Sequence, residues 1–78
     1  MERYLVTWAS GCIGAWIVRE LLREGCSVVA SDLQPELRRL QLLDHELDLK
    51  ALPFLELDVT DLEAVTEAIQ RQEITHLI

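Results

Sequence analysis

Two glycines near the start of the chain have a spacing that could bind a diphosphate group. Gly11 and Gly14 form a G-x-x-G pattern after a short apolar run and before a helical repeat. Where a strand turns directly into a helix, the unpaired N–H groups and partial positive charge of the helix N-terminus attract anions. Glycine lets such an anion approach the backbone because it has no Cβ atom. The pattern therefore predicts a dinucleotide-binding turn that keeps two of the three glycines of the usual fingerprint.

A carboxylate that could complete such a site comes at the end of the next predicted strand. Asp32 lies 18 residues after Gly14, where an acidic side chain accepts hydrogen bonds from the hydroxyls of the adenosine ribose. Because its charge repels a 2′-phosphate, it favours NAD over NADP. Arg38 and Arg39 could form ion pairs with a phosphate, but their place in a helical repeat predicts solvent-facing charges. Alone, Asp32 would be a polar residue that ends a strand, but together with the glycines it favours a ribose site.

Hydrophobic patterns place these residues at the junctions of strands and helices. Short apolar runs predict four strands, and apolar residues repeated every three or four positions predict three helices between them. The predicted strands cover residues 3–7, 26–31, 53–59 and 74–78. The predicted helices cover residues 12–24, a segment opened by Pro35, and a segment capped by Thr60 with Glu63 in a capping box. Residues 46–52 fit either a helix end or a loop.

The order of these elements predicts the fold class. Strands and helices alternate along the whole chain, which predicts an α/β, Rossmann-like parallel sheet with right-handed crossovers and helices on both faces. The natural strand order is 3-2-1-4. The fourth strand then lies at an open sheet edge, through which copies of the chain could associate.

The composition and charge of the chain argue against several classes of partner. Half of the 78 residues are hydrophobic and 27% are charged, which predicts one small globular domain. The net charge of −7 and the lack of a basic patch argue against binding to nucleic acid or to an anionic membrane. No apolar run approaches the roughly 18 residues of a membrane span, and no leader precedes the first strand, so a cytoplasmic protein is expected.

The residues that most often bind metals are scattered in this sequence. Cys12 and Cys26 lack C-x-x-C spacing, and we expect free thiols. His45 and His76 have no Cys, His or carboxylate partner at ligand spacing. The sequence therefore predicts no metal site.

Four segments together resemble one known family. The segments LVTWASGCIG, LLREG, VVASD and LDVTD are similar to the N-terminal half of the extended short-chain dehydrogenases/reductases, the NAD-dependent epimerase/dehydratase family. The resemblance extends over all 78 residues, and the joint occurrence of the segments is more specific than a glycine motif alone. It implies that residues 1–78 are the N-terminal NAD(P)-binding Rossmann half-domain of an oxidoreductase, without its catalytic and substrate-binding part.

The resemblance implies roles for individual residues of the first turn. Gly11, Cys12 and Ile13 would present backbone to the diphosphate of NAD. Ser10 would shape the loop, and Gly14 would let the helix pack closely against the turn.

Two further pairs of residues would contact the adenosine half of the cofactor. The resemblance implies that Asp32, with Leu33 beside it, binds the ribose. It also implies that Asp58 and Val59, from the segment LDVTD, lie near the adenine. A second interpretation of Asp58 stays equally open, in which it only ends a strand before the Thr60 cap.

The turn departs from the family pattern at Trp8. The pattern T-G-x-x-G-x-x-G aligns Thr7, Gly11 and Gly14, and it puts Trp8 on the first glycine, against the adenosine part of the cofactor. In that register the indole points either into solvent or into the space of the cofactor, and we expect weakened NAD binding. A second register stays open, with Ala9 on the first glycine and Trp8 packed under the turn as the last strand residue.

The catalytic pair of the family has no counterpart in the sequence. The family uses a Tyr-x-x-x-Lys pair, whereas the only tyrosine is Tyr4, in the first predicted strand, and the only lysine is Lys50. We therefore expect no catalysis by this chain alone. The rival hypothesis is a structural or association module with a dead nucleotide site.

Overall fold

The chain folds into a parallel sheet with helices on both faces. A computed structural model describes residues 2–47 and 49–78. The strands are β1 (Arg3–Val6), β2 (Ser27–Asp32), β3 (Phe54–Glu56) and β4 (His76–Leu77), and the helices are α1 (Cys12–Arg23), α2 (Arg38–Leu43) and α3 (Leu62–Arg71). The four strands are hydrogen-bonded in the order β3-β2-β1-β4. The predicted α/β class and the predicted strand order are both confirmed.

The register of the strands brings their carboxyl ends to one edge of the sheet. Val6, at the end of β1, lies opposite Ala30 of β2, and Asp32, at the end of β2, lies opposite Glu56 of β3. All pairs are parallel. The segments that follow β1, β2 and β3 therefore start on the same side of the molecule, which is where open α/β sheets bind their ligands.

The core forms two layers because neighbouring strand residues point to opposite faces. Leu5 and Val29 face α3, whereas the adjacent Val6 and Val28 face α1 and α2. The α1 and α2 side holds these buried residues: Val6, Ala9, Ala15, Val18, Val28, Ala30, Leu40 and Leu52. The α3 side is thinner, because no residue of α3 is fully buried and the helix contacts the sheet through the half-buried Ala64, Val65, Ala68 and Ile69. Among the described residues, no helix has the length and apolar character to cross a membrane.

The second helix is shorter than the sequence predicts. It begins at Arg38 rather than at Pro35, because the segment before it bonds elsewhere: the Glu36 N–H donates to Ser10 Oγ at 2.9 Å. It ends before Asp44, whose carboxylate lies 3.4 Å from Arg19 Nε on α1. The ambiguous segment after it includes residue 48, which lies outside the described residues.

The start of the third helix also differs from the prediction. Asp61, not Thr60, is the N-cap, and Asp61 Oδ1 accepts from the Ala64 N–H at 3.1 Å. Thr60 is used one step earlier, because both its N–H and its hydroxyl donate to Asp58 Oδ1. The predicted capping box with Glu63 is therefore wrong by one residue.

Candidate cofactor site at the carboxyl edge of the sheet

The turn from β1 to α1 exposes the N-terminus of the helix. The Gly11 N–H donates to the Trp8 carbonyl at 3.0 Å, and Gly11 is then the N-cap of α1 in an extended conformation. Gly11 has no side chain with which to cap the helix, so it leaves the first-turn N–H groups of Cys12, Ile13 and Gly14 without a side-chain cap from that position. Cys12 and Ile13 are exposed. These groups form the kind of positive helix end that binds a phosphate.

Gly14 allows α1 to pack directly on this turn. A Cβ atom at Gly14 would lie 2.1 Å from the Trp8 carbonyl oxygen and 2.9 Å from the Ala9 Cα atom. Both are backbone atoms and cannot move aside as a side chain can. At Gly11 the nearest atom is the same Trp8 oxygen, at 3.3 Å. Gly14 therefore holds the helix against the turn, in keeping with its predicted packing role.

Trp8 takes the backbone conformation that a glycine would take. Its φ is 56°, in the left-handed region that costs a side-chain-bearing residue about 1–2 kcal/mol. Trp8 is 69% exposed, whereas Ala9 is buried and its N–H donates to the Ser31 carbonyl. These positions match the register with Trp8 on the first glycine. They do not match the register in which Trp8 packs under the turn.

Asp32 contacts the turn directly. Asp32 Oδ2 accepts from the Ser10 N–H at 3.0 Å, and Oδ1 accepts from the Gln34 N–H at 3.4 Å. The structure thus joins Ser10 and Asp32, which are 22 positions apart in the sequence. Leu33, the next residue, is 59% exposed at the same edge.

Ser10 has further partners that the sequence did not indicate. Its hydroxyl accepts from the Glu36 N–H at 2.9 Å and donates to the Gln34 carbonyl at 3.3 Å. Arg39 Nε donates to the Ser10 carbonyl at 3.2 Å. Arg39 is exposed, as predicted, but its guanidinium is fixed on the turn rather than free in solvent. These contacts span 24 to 29 positions, and no local pattern signals them.

Asp58 and Val59 lie just beyond β3, at the same edge of the sheet. Both are exposed. Asp58 Oδ1 accepts from the Thr60 N–H at 2.9 Å and the Thr60 hydroxyl at 2.6 Å, and these bonds lower the pKa of the Asp58 carboxyl. The bonds to Thr60 are what the structural interpretation of Asp58, as a residue that ends the strand before α3, expects. The adenine contact of Asp58 and Val59 stays a prediction.

Tyr4 lies in β1, and both its hydroxyl group and its ring contact neighbouring residues. Its hydroxyl donates to a Glu2 carboxylate oxygen at 2.8 Å, and its ring stacks on His76 with centroids 4.8 Å apart. The bond to Glu2 raises the pKa of Tyr4 above its usual value. Cys12 and Cys26 are both free thiols.

Comparisons with known proteins agree with this geometry. Residues 4–78 match the NAD dependent epimerase/dehydratase family. The uncharacterized oxidoreductase YxjF of Bacillus subtilis is 41% identical over 68 residues, which cover 83% of this chain and 25% of that protein. UDP-glucose 4-epimerase of Thermus thermophilus, solved in complex with NAD, superposes with a TM-score of 0.74 and 31% identity over 96% of this chain and 22% of the enzyme.

A more distant structure supports the fold alone. The dTDP-glucose 4,6-dehydratase of Bacillus anthracis, solved in complex with NAD, superposes with a TM-score of 0.77 at 17% identity, over 99% of this chain and 26% of that enzyme. The fold, the glycine turn and the sequence match define the class as a Rossmann-like domain of the short-chain dehydrogenases/reductases. The chain belongs to the NAD dependent epimerase/dehydratase family. It spans about a quarter of the length of these three relatives.

Proposed function

We propose that this chain is the NAD-binding portion of an epimerase/dehydratase-like oxidoreductase. The observation that supports the proposal is the direct bond between Asp32 and Ser10, which sets the Asp32 carboxylate, our candidate for the ribose, beside a helix N-terminus without a side-chain cap. The diphosphate would bind the first-turn N–H groups of Cys12, Ile13 and Gly14, because the Gly11 N–H donates to the Trp8 carbonyl. When bound, the cofactor supplies hydride transfer at its nicotinamide ring.

The Asp32 carboxylate keeps acceptor capacity for a ribose. Each of its oxygens accepts one backbone N–H, from Ser10 and from Gln34, and a carboxylate oxygen can accept two hydrogen bonds. The two protein bonds therefore orient Asp32 and leave a lone pair on each oxygen for the ribose hydroxyls. The negative charge of Asp32 is the reason to propose NAD rather than NADP as the cofactor. Replacing Asp32 by Asn should weaken NAD binding more than NADP binding.

We propose that Trp8 weakens this binding. Trp8 places an indole at the left-handed position of the turn, where the family pattern has a glycine without a side chain. The Trp8 carbonyl accepts from the Gly11 N–H and lies where a Cβ atom of residue 14 would be, so the backbone of Trp8 is part of the turn itself. On this proposal the exposed Trp8 side chain occupies space that the cofactor would need. Trp8→Gly should therefore raise the affinity for NAD.

Isothermal titration with NAD tests both proposals. The Trp8→Gly variant should bind NAD with measurable heat and more tightly than the parent sequence. Glu73→Gly is the matched control, because Glu73 is also a left-handed residue, with φ of 55°, but lies at the end of α3. No heat from a folded Trp8→Gly variant would sink the binding assignment.

We propose that the chain alone does not catalyse hydride transfer. A catalytic tyrosine exchanges a proton near neutral pH and therefore needs a lowered pKa. The pKa of Tyr4 is shifted the other way, by its bond to Glu2, and its ring is stacked on His76. The purified chain should show no oxidoreductase turnover with NAD, and replacing Tyr4 by Phe should leave NAD binding unchanged.

A second candidate function is self-association through β4. This strand pairs with β1 on one side and lies at the edge of the sheet, and both Leu77 and Ile78 are about half exposed. Exposed apolar residues on an edge strand favour pairing with another chain. Sedimentation velocity at high concentration should then show a dimer that Leu77→Lys disrupts. A strict monomer would remove this candidate.

We also propose a cytoplasmic location. The free thiols of Cys12 and Cys26 fit this proposal, because thiols stay reduced in the cytoplasm.

A further inference from the structure

Ser10 joins the two halves of the proposed cofactor site. We propose that Ser10 is a positioning residue, whose hydroxyl holds the loop after β2 in the shape that aims Asp32 at the ribose. The inference rests on the proposed function and deepens it. It concerns how the ribose end of the site is kept in register with the diphosphate end.

The hydrogen bonds of Ser10 use all of its polar groups. Its N–H donates to Asp32, its carbonyl accepts from Arg39 Nε, and its hydroxyl bonds to the backbone of both Gln34 and Glu36. The hydroxyl bonds are the ones that a side chain alone can supply. The Ser10 N–H and carbonyl bonds would survive replacement by Ala, whereas the bonds to Gln34 and Glu36 would be lost.

The loop that Ser10 holds also carries the second bond to the Asp32 carboxylate. The Gln34 N–H donates to Asp32 Oδ1, while the Gln34 carbonyl accepts from the Ser10 hydroxyl. Asp32 Oδ2 accepts from Ser10 itself. Both carboxylate oxygens are therefore oriented through Ser10, one directly and one through Gln34. Without the hydroxyl, the Gln34 bond loses its support and the carboxylate gains rotational freedom.

Arg39 supports the same arrangement from the start of α2. Its Nε atom lies 3.2 Å from the Ser10 carbonyl, so the helix that follows the loop is tied to the turn as well. The loop between β2 and α2 is then fixed at three points: Asp32, the Ser10 hydroxyl and Arg39. This is a reason for the late start of α2 at Arg38, because the residues before it bond to Ser10 instead of forming a helical turn.

The test compares a ligand that has a ribose with one that has only a diphosphate. In the Trp8→Gly background, NMR titrations with ADP and with inorganic pyrophosphate would measure both affinities. Ser10→Ala should weaken ADP binding about tenfold, as expected for the loss of one to two hydrogen bonds that orient a charged group, and should change pyrophosphate binding less than about twofold. Ser10→Thr keeps a hydroxyl and should restore ADP binding.

A second variant keeps the test decisive if Ser10→Ala does not fold. Arg39→Lys keeps the positive charge near the turn but replaces the Nε donor to the Ser10 carbonyl by a methylene group, so it should weaken ADP binding about threefold with little effect on pyrophosphate. Thr66→Ala is the control, because the Thr66 hydroxyl donates within α3, to the Leu62 carbonyl.

The possible outcomes separate this inference from the proposed function. Loss of ADP affinity with unchanged pyrophosphate affinity supports the positioning role. Equal losses for both ligands, or no loss for either, would overturn it while the cofactor assignment stands. If the Trp8→Gly parent binds neither ligand, the proposed function is wrong and the positioning role is wrong with it.

Discussion

Two of the strand-to-helix turns at the carboxyl edge of the sheet, those after β1 and β3, are built in opposite ways. In the turn after β3, residues of the turn itself supply the hydrogen-bond acceptors: Asp61 caps α3, and the Asp58 carboxylate accepts two hydrogen bonds from Thr60. The turn after β1 has a glycine, Gly11, as the N-cap of α1 and therefore no side-chain cap from it. Both turns lead from a parallel strand into a helix of ten or twelve residues.

The difference shows how one local geometry serves either stability or binding. A side-chain cap gives a helix about 1 kcal/mol and occupies the N–H groups that an anion would need. The β1–α1 turn lacks that stabilisation. It is stabilised instead by the close packing of Gly14 on the Trp8 backbone and by the hydrogen bond from the Ser10 N–H to Asp32. The uncapped turn is therefore the one available to a diphosphate.

The largest effect should come from filling the space at Gly14. In Gly14→Ala the new Cβ would meet the Trp8 carbonyl oxygen at 2.1 Å, so the helix or the turn has to move. We expect a loss of about 3 kcal/mol in the free energy of unfolding, at the upper end of overpacking effects. Urea denaturation followed by circular dichroism measures it.

Gly25→Ala is the control for that substitution. Gly25 has a φ of +80°, but a Cβ atom added there would have no neighbour within 4 Å. The free energy of unfolding of Gly25→Ala should therefore fall only by the backbone strain, about 1 kcal/mol. Equal losses for the two variants would contradict the close packing of α1 on the first turn.

The next effect should come from removing the cap of α3. Asp61→Ala leaves the Ala64 N–H without its acceptor, and we expect the free energy of unfolding to fall by about 1 kcal/mol. Asp61→Ser keeps an acceptor oxygen and should recover most of the loss. If Thr60→Val instead gave the larger loss, the cap would be Thr60 after all.

Relief of the left-handed residues should give a smaller gain in stability. Trp8→Gly and Glu73→Gly each remove side-chain strain at a φ near 55°, and we expect about 0.5–1 kcal/mol of stabilisation after the entropy that glycine costs. Only Trp8→Gly should also raise NAD affinity. A gain in affinity from Glu73→Gly would show that general stability, not the first turn, controls binding.

The smallest effect should be a pH dependence from Asp58. Its pKa is lower in the folded chain because Thr60 donates two hydrogen bonds to it, so its stabilising contribution is present above the unfolded pKa near 3.8 and is lost as the pH falls through the folded pKa. Asp58→Asn should flatten the fall in stability between about pH 5 and pH 2. Unfolding curves across that range measure it, and an unchanged acid profile would contradict the role of Thr60.

Much of the fold was predictable because it depends on neighbouring residues. The alternation of strands and helices follows from short apolar runs and from repeats of three or four residues, and it predicted the parallel α/β class correctly. The strand order was predicted as the natural arrangement of such an alternation. The end of α1 was predicted within one residue by Gly25, which takes a left-handed conformation. One error lies where two polar residues compete for one role, as Thr60 and Asp61 do at the start of α3. The other lies at the start of α2, where Glu36 bonds to the distant Ser10.

The pair of glycines, the acid at position 32 and the order of elements that brings them to one edge can all be read from the amino-acid sequence. That Trp8 is the left-handed residue, and that Ser10 bonds to Asp32, Glu36 and Arg39, became clear only in the folded chain. The reason is physical: periodicity reports which face of an element is buried, whereas a hydrogen bond across more than twenty positions exists only once the sheet has placed its two ends together.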